Sequence, residues 1–160
     1  MFSRGKLRVC AFIALLGCGL HAEVWASAYN DPFMDLKNNQ SASLEQYRGK
    51  TLLLSLFEPD CGWCYRQMKT LNRISRECHS HLQPISIGIN GSAQRLRREL
   101  RKAKVSYPAL AASQKWLAKL DGVAATPWTL VVDTEGQIVT TLRGYKPYEE
   151  LQKLFPSLCA

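Results

Sequence analysis

The chain has 160 residues, 46% of them apolar and 21% charged, with a formal net charge of +8. That is one domain's worth of sequence in an ordinary globular balance. No apolar run reaches the roughly 18 residues of a spanning helix, and six cysteines are too few for a disulfide scaffold. Collagen, coiled-coil arrays, long repeats and polytopic membrane proteins are excluded.

Arg4, Lys6 and Arg8 precede an apolar stretch over residues 9–20, and Ala26-Ser27-Ala28 has the small-x-small form of a cleavage site. Together these make a secretory signal over residues 1–28, with residues 29–160 as the exported domain. Leu15-Leu16-Gly17-Cys18 offers a competing lipoprotein box, with a lipid anchor at Cys18. The short apolar segment and the later cleavage site favour the soluble product. Export puts Cys61, Cys64, Cys78 and Cys159 where disulfides persist.

Residues 31–36 read as a short entry strand, and Ser43 as the cap of one helical turn that Gly49 ends. The unbroken apolar run over residues 51–57 marks a strand buried on both faces. Glu58-Pro59-Asp60 breaks it. A helix follows over residues 64–76, with Met68, Leu71 and Ile74 on one face. Residues 84–89 form a second strand, and Ser92 opens a helix that runs to Lys104. That helix carries six basic residues between Arg95 and Lys104. In an exported chain without a nucleic-acid motif they read as a solvated face, with no nucleic-acid partner.

Residues 107–110 are a short extended piece, and residues 114–120 a short helix that buries Trp116 and Leu120. A strand over residues 127–132, the turn Asp133-Thr134-Glu135-Gly136 and a returning strand over residues 137–142 make a hairpin. A helix over residues 147–155, with Pro147 in its first turn, closes the chain. The order is β-α-β, a helical excursion, then β-β-α. It predicts an α/β fold with a mixed central sheet, parallel strands first, an antiparallel hairpin last and helices on both faces.

Cys61-Gly62-Trp63-Cys64 lies where the buried strand turns into a helix. There, unpaired backbone N–H groups and the helix dipole favour a Cys61 thiolate, and Cys64 can resolve a mixed disulfide. A structural disulfide closing so short a loop is a poor staple. Zinc would need Cys78 and Cys159 to complete the set, without the usual second Cys-x-x-Cys. Haem attachment would need histidine where Tyr65 stands. Trp63 must be largely exposed if Cys61 is to be attacked, which makes it a partner-contacting surface. Beside a redox pair, Thr126-Pro127 suggests a cis bond that aims backbone at the thiols and pairs with a bound peptide. Cys78-His79-Ser80-His81 has metal-ligand types, but it falls in a polar loop, and no metal site is assigned.

The order Cys-x-x-Cys, strand, helix, Thr-Pro, hairpin, final helix resembles the thioredoxin fold. In detail it resembles the TlpA-like, or redoxin, family of exported bacterial thiol–disulfide oxidoreductases. Ser43-Leu44-Glu45-Gln46-Tyr47-Arg48-Gly49-Lys50 is similar to that family's lead-in to the first core strand. Val105-Ser106-Tyr107-Pro108 is similar to its segment after an inserted helix, Gly122 to Pro127 to its approach to the cis-proline, and Asp133 to Val139 to its hairpin. The resemblance implies a helical insertion before the cis-Pro strand and periplasmic dithiol–disulfide exchange on protein disulfides. It implies a membrane-bound electron donor and no cofactor. A dithiol oxidant or isomerase, or a metal- or haem-maturation chaperone using the same cysteines, are the alternatives.

The sequence departs from the family at Asp60, where tryptophan is usual, at Ser55, where thioredoxin has a buried acid, and at Gln67 and Lys69. Glu58 and Asp60 are therefore the nearest candidates to modulate the pKa of the redox pair, opposing a Cys61 thiolate through like charge. In the resembled fold the active-site and C-terminal helices end side by side, which implies a structural Cys78–Cys159 disulfide.

Overall fold

The computed structural model describes residues 29, 31–78 and 80–156. The signal, cleavage-site and Cys18 readings, along with His79 and Cys159, lie outside the described residues. Among the described residues seven strands form one sheet in the order β2-β1-β5-β4-β3-β6-β7. They are β1 (Phe33–Asp35), β2 (Ser41–Ala42), β3 (Thr51–Phe57), β4 (Leu82–Gly88), β5 (Ala109–Ala111), β6 (Trp128–Val132) and β7 (Ile138–Arg143). The α-helices among the described residues are α1 (Gly62–Glu77), α2 (Ala93–Ala103), α3 (Gln114–Ala118) and α4 (Tyr148–Leu154).

β3 is an interior strand, parallel to β4 and antiparallel to β6. Its apolar run serves both faces of the sheet, as an unbroken hydrophobic strand should. Leu52, Leu54 and Leu56 pack toward Trp116 of α3 and Leu44. Leu53 meets Leu71 and Ile74 of α1 with Leu151 of α4, and Phe57 meets Cys64 and Met68 of α1 with Leu96 of α2. Helices α1, α2 and α4 thus cover one face, and α3 the other.

The predicted order holds, with four refinements. The excursion is not purely helical: β5 joins the sheet parallel to β4 and antiparallel to β1. Residues 31–42 supply a short antiparallel β1–β2 pair at the sheet edge. Leu44–Tyr47 is a 3-10 turn, and Ser43 makes no side-chain cap. Leu120 lies past the end of α3 and is only half-buried. Ser92 and Ser113 do cap α2 and α3, accepting from the amides of Arg95 and Trp116.

One long-range polar network and one local turn fix the frame. Asn72, buried in α1, donates through Nδ2 to the carbonyls of Ala103 and Lys104 at 3.1 and 3.2 Å and accepts from the Ser106 amide at 3.0 Å. It terminates α2 against α1 where Lys104 turns left-handed at φ 53°. In the β6–β7 turn, Asp133 Oδ1 accepts from the amides of Glu135 and Gln137. Gly136 sits there at φ 92°, and a Cβ on it would lie 1.9 Å from the ring of buried Tyr29.

Candidate redox site

β3 ends at Phe57, and the loop Glu58-Pro59-Asp60 delivers Cys61 to the N-terminus of α1. Cys61 is the N-cap of that helix, its sulfur 3.1 Å from the Cys64 amide. The two cysteines are joined in a disulfide with Cα atoms 5.2 Å apart. Cys64 is 1% exposed, while Cys61 is half-exposed. The helix end that would stabilise a thiolate therefore serves the accessible sulfur of the two.

The Thr126–Pro127 bond is cis. Thr126 brings its carbonyl oxygen to 3.8 Å and its hydroxyl to 3.7 Å from Cys61 Sγ. The two motifs, more than sixty residues apart, meet across the end of the sheet. Beside them Trp63 stands 56% exposed and stacks on Tyr145 at 6.0 Å between ring centroids, with the Arg66 guanidinium over the Trp63 ring, 4.6 Å from its centroid. Trp63, Thr126, Pro127, Gly144 and Tyr145 line a shallow groove of about 380 Å³. Tyr145 carried no sequence signal of its own. Its position follows from Gly144, whose amide donates to the Pro127 carbonyl at 2.9 Å and docks the β7–α4 loop on the cis-proline.

The two acidic candidates separate. Asp60, in the left-handed region at φ 61°, is bound by Arg95 at 2.8 Å and Arg98 at 3.1 Å. The Arg95 hydrogen bond, helped by the charges of Arg98 and Lys102, holds its carboxyl below the usual aspartate range. Its charge is compensated by α2. Glu58 instead accepts the Thr126 hydroxyl at 2.7 Å on Oε1 and Asn90 Nδ2 at 3.2 Å on Oε2. Ser55, buried in β3, pairs with the Thr129 hydroxyl at 3.1 Å. Gln67, 1% exposed, accepts the Lys146 amide at 2.8 Å and so holds the loop that carries Tyr145.

Cys78 is 2% exposed at the C-cap of α1 and takes part in a disulfide. Its sequence-derived partner Cys159 lies outside the described residues. Among the described residues no group of three or more histidines, cysteines or carboxylates is placed to hold a metal. Nor is any helix there long and apolar enough to cross a membrane.

A cysteine pair at a helix start, facing a cis-proline across the end of a mixed sheet, is the arrangement of thioredoxin-type domains. The thioredoxin-like domain model matches residues 39–158, and the chain belongs to that family. No curated protein sequence matches it significantly. Among solved structures it is similar to a thiol:disulfide interchange protein of the thioredoxin family from Chlorobium tepidum TLS, at TM-score 0.71 and 13% identity over 81% of this chain and 93% of that one. A secreted Mycobacterium tuberculosis disulfide oxidoreductase homologous to E. coli DsbE superposes at TM-score 0.70, with 14% identity over 82% and 98% of the two chains. A DsbF homologue from Corynebacterium diphtheriae gives 0.68 and 21% over 80% and 83%. At these identities the likeness is one of fold.

Proposed function

We propose that the protein is an exported thiol–disulfide oxidoreductase that reduces protein disulfides in the periplasm. The observation that carries this reading is the Cys61–Cys64 disulfide at the N-terminus of α1, with its accessible sulfur beside Thr126. In the reduced protein the Cys61 thiolate attacks one sulfur of a client disulfide, forming a mixed disulfide and releasing a client thiolate. Cys64, its proton lost to solvent, then attacks Cys61 Sγ and releases the second client thiolate. Two electrons pass from the dithiol to the client, and the resulting Cys61–Cys64 disulfide is returned to the dithiol by a donor dithiol, which we place on a membrane protein. Pro127 and Thr126 present backbone to an extended client segment, and Trp63 packs against it.

Reduction of insulin disulfides by the wild type, abolished in C61S, is the expected result. A wild type that fails to reduce insulin overturns the reading. The potential of the pair decides direction: a value near about −270 mV supports a reductant, and one near about −120 mV an oxidant. A C64A variant would capture clients as mixed disulfides and identify them.

Residues 1–28 act as the export signal in this reading, with Cys18 as a lipid anchor the competing form. Mass spectrometry of the exported protein distinguishes a chain starting at residue 29 from a lipidated one starting at Cys18. Cys78 and Cys159 make a structural disulfide remote from the redox pair. Its support is the buried, disulfide-bonded Cys78 and the packing of α4 beside α1. A closed loop of roughly 80 residues corresponds to on the order of 4 kcal/mol in the chain-entropy model. Non-reducing peptide mapping checks the pairing.

A further inference from the structure

We propose that Glu58 is a positioning residue that acts through Thr126: by holding the Thr126 hydroxyl proton, it withholds a hydrogen bond from the Cys61 thiolate and makes the couple more reducing. This rests on Cys61 being the attacking sulfur of a redox pair. A threonine hydroxyl has one proton to give. Two groups compete for it here, the Glu58 carboxylate at 2.7 Å and Cys61 Sγ at 3.7 Å. The short, charge-assisted contact takes the proton. The sulfur is left facing the lone pairs of Oγ1.

Glu58 is held in this role from two sides. Oε2 accepts from Asn90 Nδ2 at 3.2 Å, which leaves Oε1 for Thr126. Asp60 does not duplicate the effect, because Arg95 and Arg98 bind its carboxylate. Glu58, Asp60, Arg95 and Arg98, with Lys102 acting on Asp60 through its charge and Arg66 over Trp63, are charged groups that α1, α2 and the β3–α1 loop bring to this end of the sheet. A thiolate that faces oxygen lone pairs instead of an O–H is disfavoured. Disfavouring the thiolate destabilises the reduced form, shifts the equilibrium toward the disulfide and lowers the reduction potential.

The test is a double-mutant cycle of wild type, E58A, T126V and E58A/T126V. Each protein is equilibrated with reduced and oxidised glutathione, and its Cys61 thiolate is titrated by ultraviolet absorbance. E58A frees the Thr126 hydroxyl for the sulfur. We expect it to shift the equilibrium toward the dithiol by about tenfold, or about 30 mV for this two-electron couple, and to lower the Cys61 pKa. Most of that shift should vanish in the T126V background. E58Q keeps the size and an acceptor oxygen, so it should shift less than E58A. It also serves as the test variant if E58A does not fold. An equal shift with and without the Thr126 hydroxyl, or no shift in either background, overturns the proposal. A wild type that neither equilibrates with glutathione nor reduces insulin overturns the redox reading itself, which is a separate outcome.

Discussion

Asp60 and Arg95 are 35 positions apart in sequence and 2.8 Å apart in the structure. Through this pair, and Arg98 beside it, the loop that delivers Cys61 is fastened to the inserted helix α2. Three of the five basic residues of α2 have acidic partners: Arg95 and Arg98 bind Asp60, and Lys102 binds Glu99. A helix that reads as a solvated basic face is in part the anchor of the redox loop.

The pairing has a pH signature. The arginines hold the Asp60 carboxyl below its usual range. Its contribution is therefore fully present above the ordinary aspartate value of about 3.9 and is lost as pH falls through the lower folded-state value. Urea unfolding of wild type and D60N across this range should show a modest wild-type advantage at neutral pH that closes only in strong acid. A gap that persists at the acid end would show that Asp60 acts through something other than its charge.

Alkylation of the reduced protein near neutral pH should label Cys61 first. Cys61 is half-exposed and caps a helix N-terminus, whereas Cys64 is 1% exposed. Peptide mapping after brief labelling reads the order, and preferential labelling of Cys64 would reverse the assignment of attacking and resolving thiols.

Replacing Trp63 by alanine removes a large exposed ring from the groove beside Pro127. The rate with a protein disulfide should fall mainly through a higher KM, while the rate with a small disulfide such as oxidised glutathione stays near wild type. Equal losses with both substrates would place Trp63 in the chemistry at Cys61 rather than in client contact.

Asn72→Ala should destabilise the fold by about 1–3 kcal/mol, because the Ala103 and Lys104 carbonyls and the Ser106 amide all lose a partner in or beside the core. The shift in urea midpoint measures it.

Gly136→Ala meets both a left-handed backbone and the ring of Tyr29. It should cost more than about 1 kcal/mol in the same assay, and combination with Tyr29→Ala should be non-additive because the two residues are in contact.

The parts of this molecule that were legible in the sequence are those written by local periodicity and turn chemistry. The apolar run of β3, the faces of α1 and the Asp133–Gly136 turn all carry such patterns, and the Cys61–Cys64 pair announces itself at a strand-to-helix junction. The β1–β2 pair and β5 were harder, since strands of two or three residues are held by backbone bonds that any side chain permits. The partners of Asp60, Glu58 and Asn72 were not legible at all. Each is a polar contact across at least 30 positions, chosen by tertiary packing, and a lone polar residue in a loop or helix gives no sign of which distant group it meets. Glu58 and Asp60, adjacent but for one proline and alike in charge, looked interchangeable; the structure gives one to threonine and the other to arginine.

Helix α2 is pinned at its two ends by different chemistry. At its start exposed ionic contacts tie it to the cysteine loop, and at its finish a buried amide ties it to α1. Salt screens the first and scarcely touches the second. Rising ionic strength should therefore loosen the insertion only where it borders the reactive sulfur, so that amide hydrogen exchange quickens around Asp60 while the protection of Ser106 holds. The same helix would then respond to its ionic surroundings at one end and serve as fixed scaffold at the other.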